Sequence, residues 1–258
     1  MTSREELKRK GNEIRERLQH GAYPVRERPR AVAGIPGLRD YTGESIFGAV
    51  WSRPGLDIRY RMLATLSVLS TLQRLSQFQT YVHSALNMGL GAEEIQEVPI
   101  HCSIYAGFPS AVNSLELVHE AFRERGIETP QTEAPDVSLE EMETRGRALR
   151  EQLMGVQDQG GYVSALADLA PDLRTLTLQY GFGWIFFRPG LDLKDRVVCS
   201  TAALTALRAD AQLRNFLQAG PRIGLSKEEV VEVLIQTGGY AGYPAALSAI
   251  SIAAQVWG

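Results

Sequence analysis

"GLGAEEIQEVPIHCSIYAGFPSA" (89–111) and "GLSKEEVVEVLIQTGGYAGYPAA" (224–246) stand a constant 135 positions apart and share one frame. The same offset aligns almost the whole chain on itself without a gap. "SREELKRKGNEIRERL" (3–18) returns as "SLEEMETRGRALREQL" (138–153), and "RPGLDIRYR" (53–61) returns as "RPGLDLKDR" (188–196). From Leu38 to Glu116, 26 of 79 positions match their partners, far above chance, so the chain is an internal duplication. The polar, Pro-containing stretch "RGIETPQTEAPDV" (125–137) is the linker. This divides the chain into units 1–125 and 136–258.

Within a unit the pattern is helical. Ser3 with Glu6, Ser138 with Glu141 and Ser226 with Glu229 have the spacing at which a hydroxyl and a carboxylate satisfy the free amides of a first turn. After "RPGLD" an aspartate opens a helix whose apolar residues Met62, Leu63, Leu66, Leu69 and Leu72 follow helical spacing. Pro99 is expected to bend or interrupt the next helix. "AGFP" and "AGYP" break the chain before a last helix that carries Pro109 or Pro244 in its first turn. Strand-like alternation is absent. The expectation is an all-α fold of two tandem units, about six helices each.

Composition narrows the function. With 44% hydrophobic and 22% charged residues the chain can bury a core and is not disordered. A net charge of −3 excludes a phosphate-binding basic surface, so no nucleic-acid partner is expected. The charged start "MTSREELKRK" is unlike a signal peptide, and no run of apolar residues is long enough for a membrane span. A cytoplasmic protein with no membrane partner is expected. The apolar C-terminal stretch reads as a helix buried on most sides, in a subunit interface rather than a bilayer. Cys102 and Cys199 form no C-x-x-C and read as buried small hydrophobes.

Chemistry rests on few residues. His83 lies mid-helix in "YVHSALNMGL" (81–90), where the second unit has Gln218. Histidine exchanges a proton near neutral pH, whereas glutamine hydrogen-bonds without titrating. A core or interface histidine with satisfied nitrogens is the bland reading, and one active and one silent unit is the sharper one. Arg53 beside Trp51 is a candidate carboxylate contact; Arg61 reads more as a structural tie, since both units keep it. Glu97 and Glu232 are candidates to pair with these arginines. His101 is a second histidine confined to the first unit, its counterpart being Gln236. Tyr105 and Tyr240, before the Ala-Gly turns, read by default as buried aromatics with bonded hydroxyls. His20 and His119 fall in surface segments. No spacing of histidines and carboxylates suggests a metal, and no phosphate loop is present.

The frames "FGAVWSRPGLDIRYR" (47–61), "YVHSALNMGLGAEEIQEV" (81–98), "YAGFPSAVNSLE" (105–116) and "RGRALREQLMG" (145–155) together resemble the carboxymuconolactone decarboxylase family, within the wider alkylhydroperoxidase-like group. The resemblance covers nearly all of both units. It implies an all-helical fold assembled as trimers or as hexamers of single units, so a double unit is expected as a homotrimer. It also implies cofactor-free loss of CO₂ from a small carboxylated lactone. The proton-transfer role falls on His83. Trp51 and Arg53 match the "W-x-RPG" frame, and Gln79, Arg61, His101 and Tyr105 are further candidate substrate contacts. Gln79 stands where the family frame has a glutamate. Ser76 and Gln79 stand where the peroxidase branch has cysteines, so dithiol peroxide reduction is excluded. Three readings follow: a lyase acting on a small lactone or cyclic acid, a tailoring enzyme of secondary metabolism acting on an aromatic polyketide-like substrate, or a non-catalytic ligand-binding oligomer.

Overall fold

The computed structural model describes residues 2–19, 35, 37–155 and 169–258. Twelve α-helices are found among them, and no strand. The first unit contributes α1 (Arg4–Gln19), α2 (Leu38–Thr42), α3 (Ile58–Thr71), α4 (Leu75–Asn87), α5 (Ala92–Ala106) and α6 (Phe108–Glu124). The second repeats them as α7 (Leu139–Met154), α8 (Pro171–Leu176), α9 (Leu193–Leu207), α10 (Asp210–Arg222), α11 (Lys227–Ala241) and α12 (Tyr243–Trp257). A π-helical segment follows α2 (Gly43–Trp51) and another follows α8 (Thr177–Phe182).

The helix starts follow local chemistry. The Oγ atoms of Ser3, Ser138 and Ser226 accept from the amides of Glu6, Glu141 and Glu229, each at 3.1 Å. At Ser226 the Glu229 carboxylate also returns to the Ser226 amide at 2.7 Å. Asp57 and Asp192 cap α3 and α9 through their carboxylates. Between α5 and α6, and between α11 and α12, the chain turns through Gly107 (φ 86°) and Gly242 (φ 95°), a backbone state that costs a side chain energy but glycine little. Of the bend or interruption expected at Pro99, the interruption does not occur: α5 runs through it. Pro99 is buried, and α5 packs against α3, α6 and α9, so tertiary contact outweighs the missing backbone donor.

The centre is made of α3, α9, α5 and α11. Helices α3 and α9 pack on each other, and each also packs on the α5-type helix of both units. The contact pattern is unchanged when the units are exchanged, which defines a pseudo-twofold between them. Residues Arg61–Thr71 of α3 and Asp195–Ala206 of α9 are buried throughout, as central helices require. Cys102 and Cys199 lie in this core as free thiols, and burial pushes Cys102 up to about 11.

Candidate functional site

The structure divides the sequence-selected residues among three places. The first is the seam between α4 and α6. His83, on α4, is 5% exposed. Its Nδ1 accepts from Arg125 Nε at 3.2 Å, and Arg125 also donates to the His83 carbonyl at 2.9 Å. Its Nε2 lies 3.1 Å from the Glu124 carboxylate. A guanidinium can only donate. Nδ1 is therefore the bare nitrogen, and the proton of the neutral ring sits on Nε2, facing Glu124. One turn back, Gln79 Nε2 donates to Glu120 at 2.7 Å. The second unit repeats this staple with other residues, Arg214 donating to Gln255 at 2.8 Å. Gln218, the counterpart of His83, is exposed. Beside the seam runs a surface groove of about 410 Å³ lined by Glu116, Leu117, His119, Glu120 and Arg123. His119 is half-buried there, 3.2 Å from Gln96. His20 lies outside the described residues.

The second place is the junction of the units around Trp51. The π-helical segment delivers Trp51 into the core at 2% exposure, stacked on Tyr81 with centroids 6.0 Å apart. Trp51 Nε1 donates to the Tyr240 hydroxyl at 2.6 Å, and a hydrogen bond of 2.5 Å joins the hydroxyls of Tyr81 and Tyr240. Burial pushes the Tyr240 hydroxyl well above its ordinary range. Arg53 grips Glu232 of the other unit through Nε (2.8 Å) and an Nη (2.6 Å), and Arg61 adds a third bond at 2.8 Å. Burial opposes the charge on Glu232, but the bonds from Arg53 and Arg61 outweigh it, leaving its carboxyl below the usual range. Tyr81 and His83, two positions apart, leave α4 on nearly opposite sides. Trp51 and Arg53 therefore do not share a site with His83.

The third place is the pseudo-symmetric counterpart. Here Arg188 forks onto Glu97, and Arg196 lies 3.5 Å from the same carboxylate. His101, 0% exposed, accepts at Nδ1 from Arg196 (3.4 Å) and faces Ser200 Oγ with Nε2 at 2.9 Å. Burial, then the Arg196 charge, drives its pKa well below the ordinary value, so the ring stays neutral. Tyr105 donates to Ser200 at 2.6 Å. In the second place Gln236 makes the same two contacts, accepting from Arg61 (3.4 Å) and donating to Thr65 (3.0 Å).

Sequence reasoning did not reach Glu124, Arg125, Tyr81 or the cross-unit direction of the Arg–Glu forks. Glu124 and Arg125 close the last turn of α6, where only their distance from His83 in the fold marks them. Among the described residues no group of histidine, cysteine and carboxylates could hold a metal ion, and no helix is long and apolar enough to cross a membrane.

A duplicated all-α body with cross-braced units and two buried histidines, His83 and His101, in the first unit defines the class. The chain belongs to the carboxymuconolactone decarboxylase family, whose model matches residues 36–120 and again 171–255. It is 34% identical over 90 residues to a 4-carboxymuconolactone decarboxylase of Acinetobacter baylyi, covering 35% of this chain and 67% of that one. It is 33% identical over 72 residues to a nitrosuccinic acid decarboxylase of Metarhizium robertsii, covering 28% of this chain and half of the relative. An uncharacterized 15.0 kDa protein of Paracoccus denitrificans matches at 33% over 95 residues, covering 36% of this chain and 71% of that protein.

Proposed function

We propose that this chain is a cofactor-independent lyase that removes CO₂ from a small carboxylated lactone or cyclic acid, with His83 as proton carrier. The observation that carries the reading is the Arg125 bond to Nδ1, which leaves the proton on the ring nitrogen turned towards the α6 seam. As a carboxylate departs, its electron pair must flow into a conjugated carbonyl. A donor at that oxygen lowers the barrier, and a proton must then return to carbon. Nε2–H fits both tasks, a contribution of about 10² to 10⁴ in rate. Two named decarboxylases among the relatives support the reaction type. Arg53 is engaged by Glu232 and stands apart from His83, so carboxylate binding draws support only from groups along α6.

Exposed apolar residues recur at the same repeat positions, Phe108 and Val112 on α6 and Tyr243 and Leu247 on α12. They support assembly into the homotrimer of double units. The test is CO₂ release from carboxymuconolactone by wild type and His83→Ala, each sized by light scattering. Wild-type turnover, its loss by at least about 10²-fold in the variant, and one shared trimeric mass are expected. A variant with undiminished activity overturns the role of His83, and a monomeric wild type overturns the trimer. A second reading, a ligand-binding oligomer, draws on the low exposure of His83 and the partners at both its nitrogens. A wild type silent towards carboxymuconolactone, but active on aromatic polyketide-like acids, would make the chain a tailoring enzyme instead.

A further inference from the structure

We propose that Glu124 is a displaceable stand-in for the ligand: its carboxylate fills the position at which a small organic carboxylate, or the enolate oxygen derived from it, binds His83. The inference rests on the reading of His83 as the reacting group. Three observations carry it. First, the Nε2–H donor is directed at a carboxylate already, at 3.1 Å, so the site has shown which chemistry it accepts. Second, the two partners differ in freedom, the His83 side chain being 7% exposed and that of Glu124 43%. The histidine is held by Arg125, and the glutamate can rotate into solvent without moving the backbone. Third, Glu124 stands among charges of both signs, with Arg123 and Arg125 beside it in the chain, so its position is a balance rather than a fixed pair. It ends α6, where unsatisfied carbonyls disfavour an anion, and Glu120 stands four residues before it on the same face. Glu120 is itself tied to Gln79 and stays in place.

The groove lined by Leu117, Glu120 and Arg123 adjoins this seam through Glu120, which bonds Gln79 one turn before His83 on α4. Leu117 offers an apolar wall for a ring. Arg123 is exposed and basic, next to the departing carboxylate. Gln218 in the second unit is exposed and has no buried ring to protect, so the device belongs to the first unit.

The closed position lowers apparent affinity by the fraction of time the gate is open. The test uses the full chain with ¹⁵N-labelled histidine, titrated with benzoate and with the neutral benzamide. In Glu124→Ala the His83 Nε2 resonance is expected to respond to benzoate at about fivefold to tenfold lower concentration than in wild type. Benzamide is expected to leave it unmoved. Equal half-saturation in the two proteins, no response in either, or an equal response to benzamide overturns the proposal. CO₂ release measured on the same samples separates the two readings. Benzoate binding with the expected gain but no CO₂ release removes the lyase and leaves the gate. CO₂ release that depends on His83, with benzoate affinity unchanged by Glu124→Ala, removes the gate and leaves the lyase.

Discussion

His101 and Gln236 show how one job can be done by a titratable and a non-titratable side chain. Each accepts from a buried arginine and donates to a hydroxyl one turn into the same central helix. His101→Gln should therefore keep both contacts, and urea unfolding should place it within about 1 kcal/mol of wild type. His101→Leu leaves Arg196 Nη1 without its buried acceptor and should cost about 1–3 kcal/mol. The histidine also adds a pH dependence. Its folded pKa is depressed, so below about 6.5 the unfolded chain binds a proton that the folded chain refuses. Stability contributed by the neutral ring is present above that value and is lost as pH falls below it. His101→Gln should flatten this part of the stability profile measured from pH 7 to 5, and an unchanged slope would show that other groups set it. His83 differs from His101 in kind, since its Nε2 partner is an exposed glutamate rather than a buried hydroxyl.

At the scale of elements, the π-helical segments hold the aromatic junction in place. Helix α1 crosses the first segment at Gly11 and Gly48, and α7 crosses the second at Gly146 and Gly183. A Cβ on Gly48 would overlap the Leu7 carbonyl, and one on Gly183 the Met142 carbonyl. Backbone-to-backbone contact of this kind leaves no flexible side chain to yield. Gly48→Ala should cost about 1–3 kcal/mol by forcing α1 away. It should also disturb the Trp51 indole three residues on, read as a shift in its emission in a Trp184→Phe, Trp257→Phe background at full folding. The same substitution at Gly183 should be as costly but leave Trp51 undisturbed, because the ring at the matching position is Phe186. An unshifted emission for Gly48→Ala would separate the crossing from the aromatic cluster.

Across the whole molecule, the units are braced by charges exchanged between them. Arg53 and Arg61 close on Glu232, Arg188 and Arg196 on Glu97, and Arg59 spans to Asp195 at 2.5 Å. Each carboxylate serves the arginines of the other unit. Removing one partner leaves buried charge uncompensated, a loss of about 3–5 kcal/mol. Glu97→Ala should suffer this in full, since Glu97 and Arg196 are both 0% exposed. Glu232→Ala should lose less, because Arg53, with its side chain 42% exposed, can turn to water. Chemical denaturation of the two variants checks the order, and equal losses would contradict it.

The repeat, the all-helical fold, the cap residues, the linker and the buried state of both cysteines were legible in the sequence. Each rests on a pattern local to a few turns of chain or on a fixed offset. Arg53, Arg61, Glu97 and Glu232 were legible as ion-pair candidates, but a repeat contains the same arginines and glutamates twice. Nothing local tells whether they pair within a unit or across units; the packing of α3 on α11 and of α9 on α5 decided that. His101 stood out as a second histidine confined to the first unit, whereas the fold gives it and Gln236 one structural task. His83 stood out in the sequence as a histidine confined to one unit, yet Arg125 and Glu124, 42 and 41 positions on, set which nitrogen carries its proton. Helical periodicity is written by neighbours three and four residues apart. A proton's address is written by groups that meet only once the helices have packed.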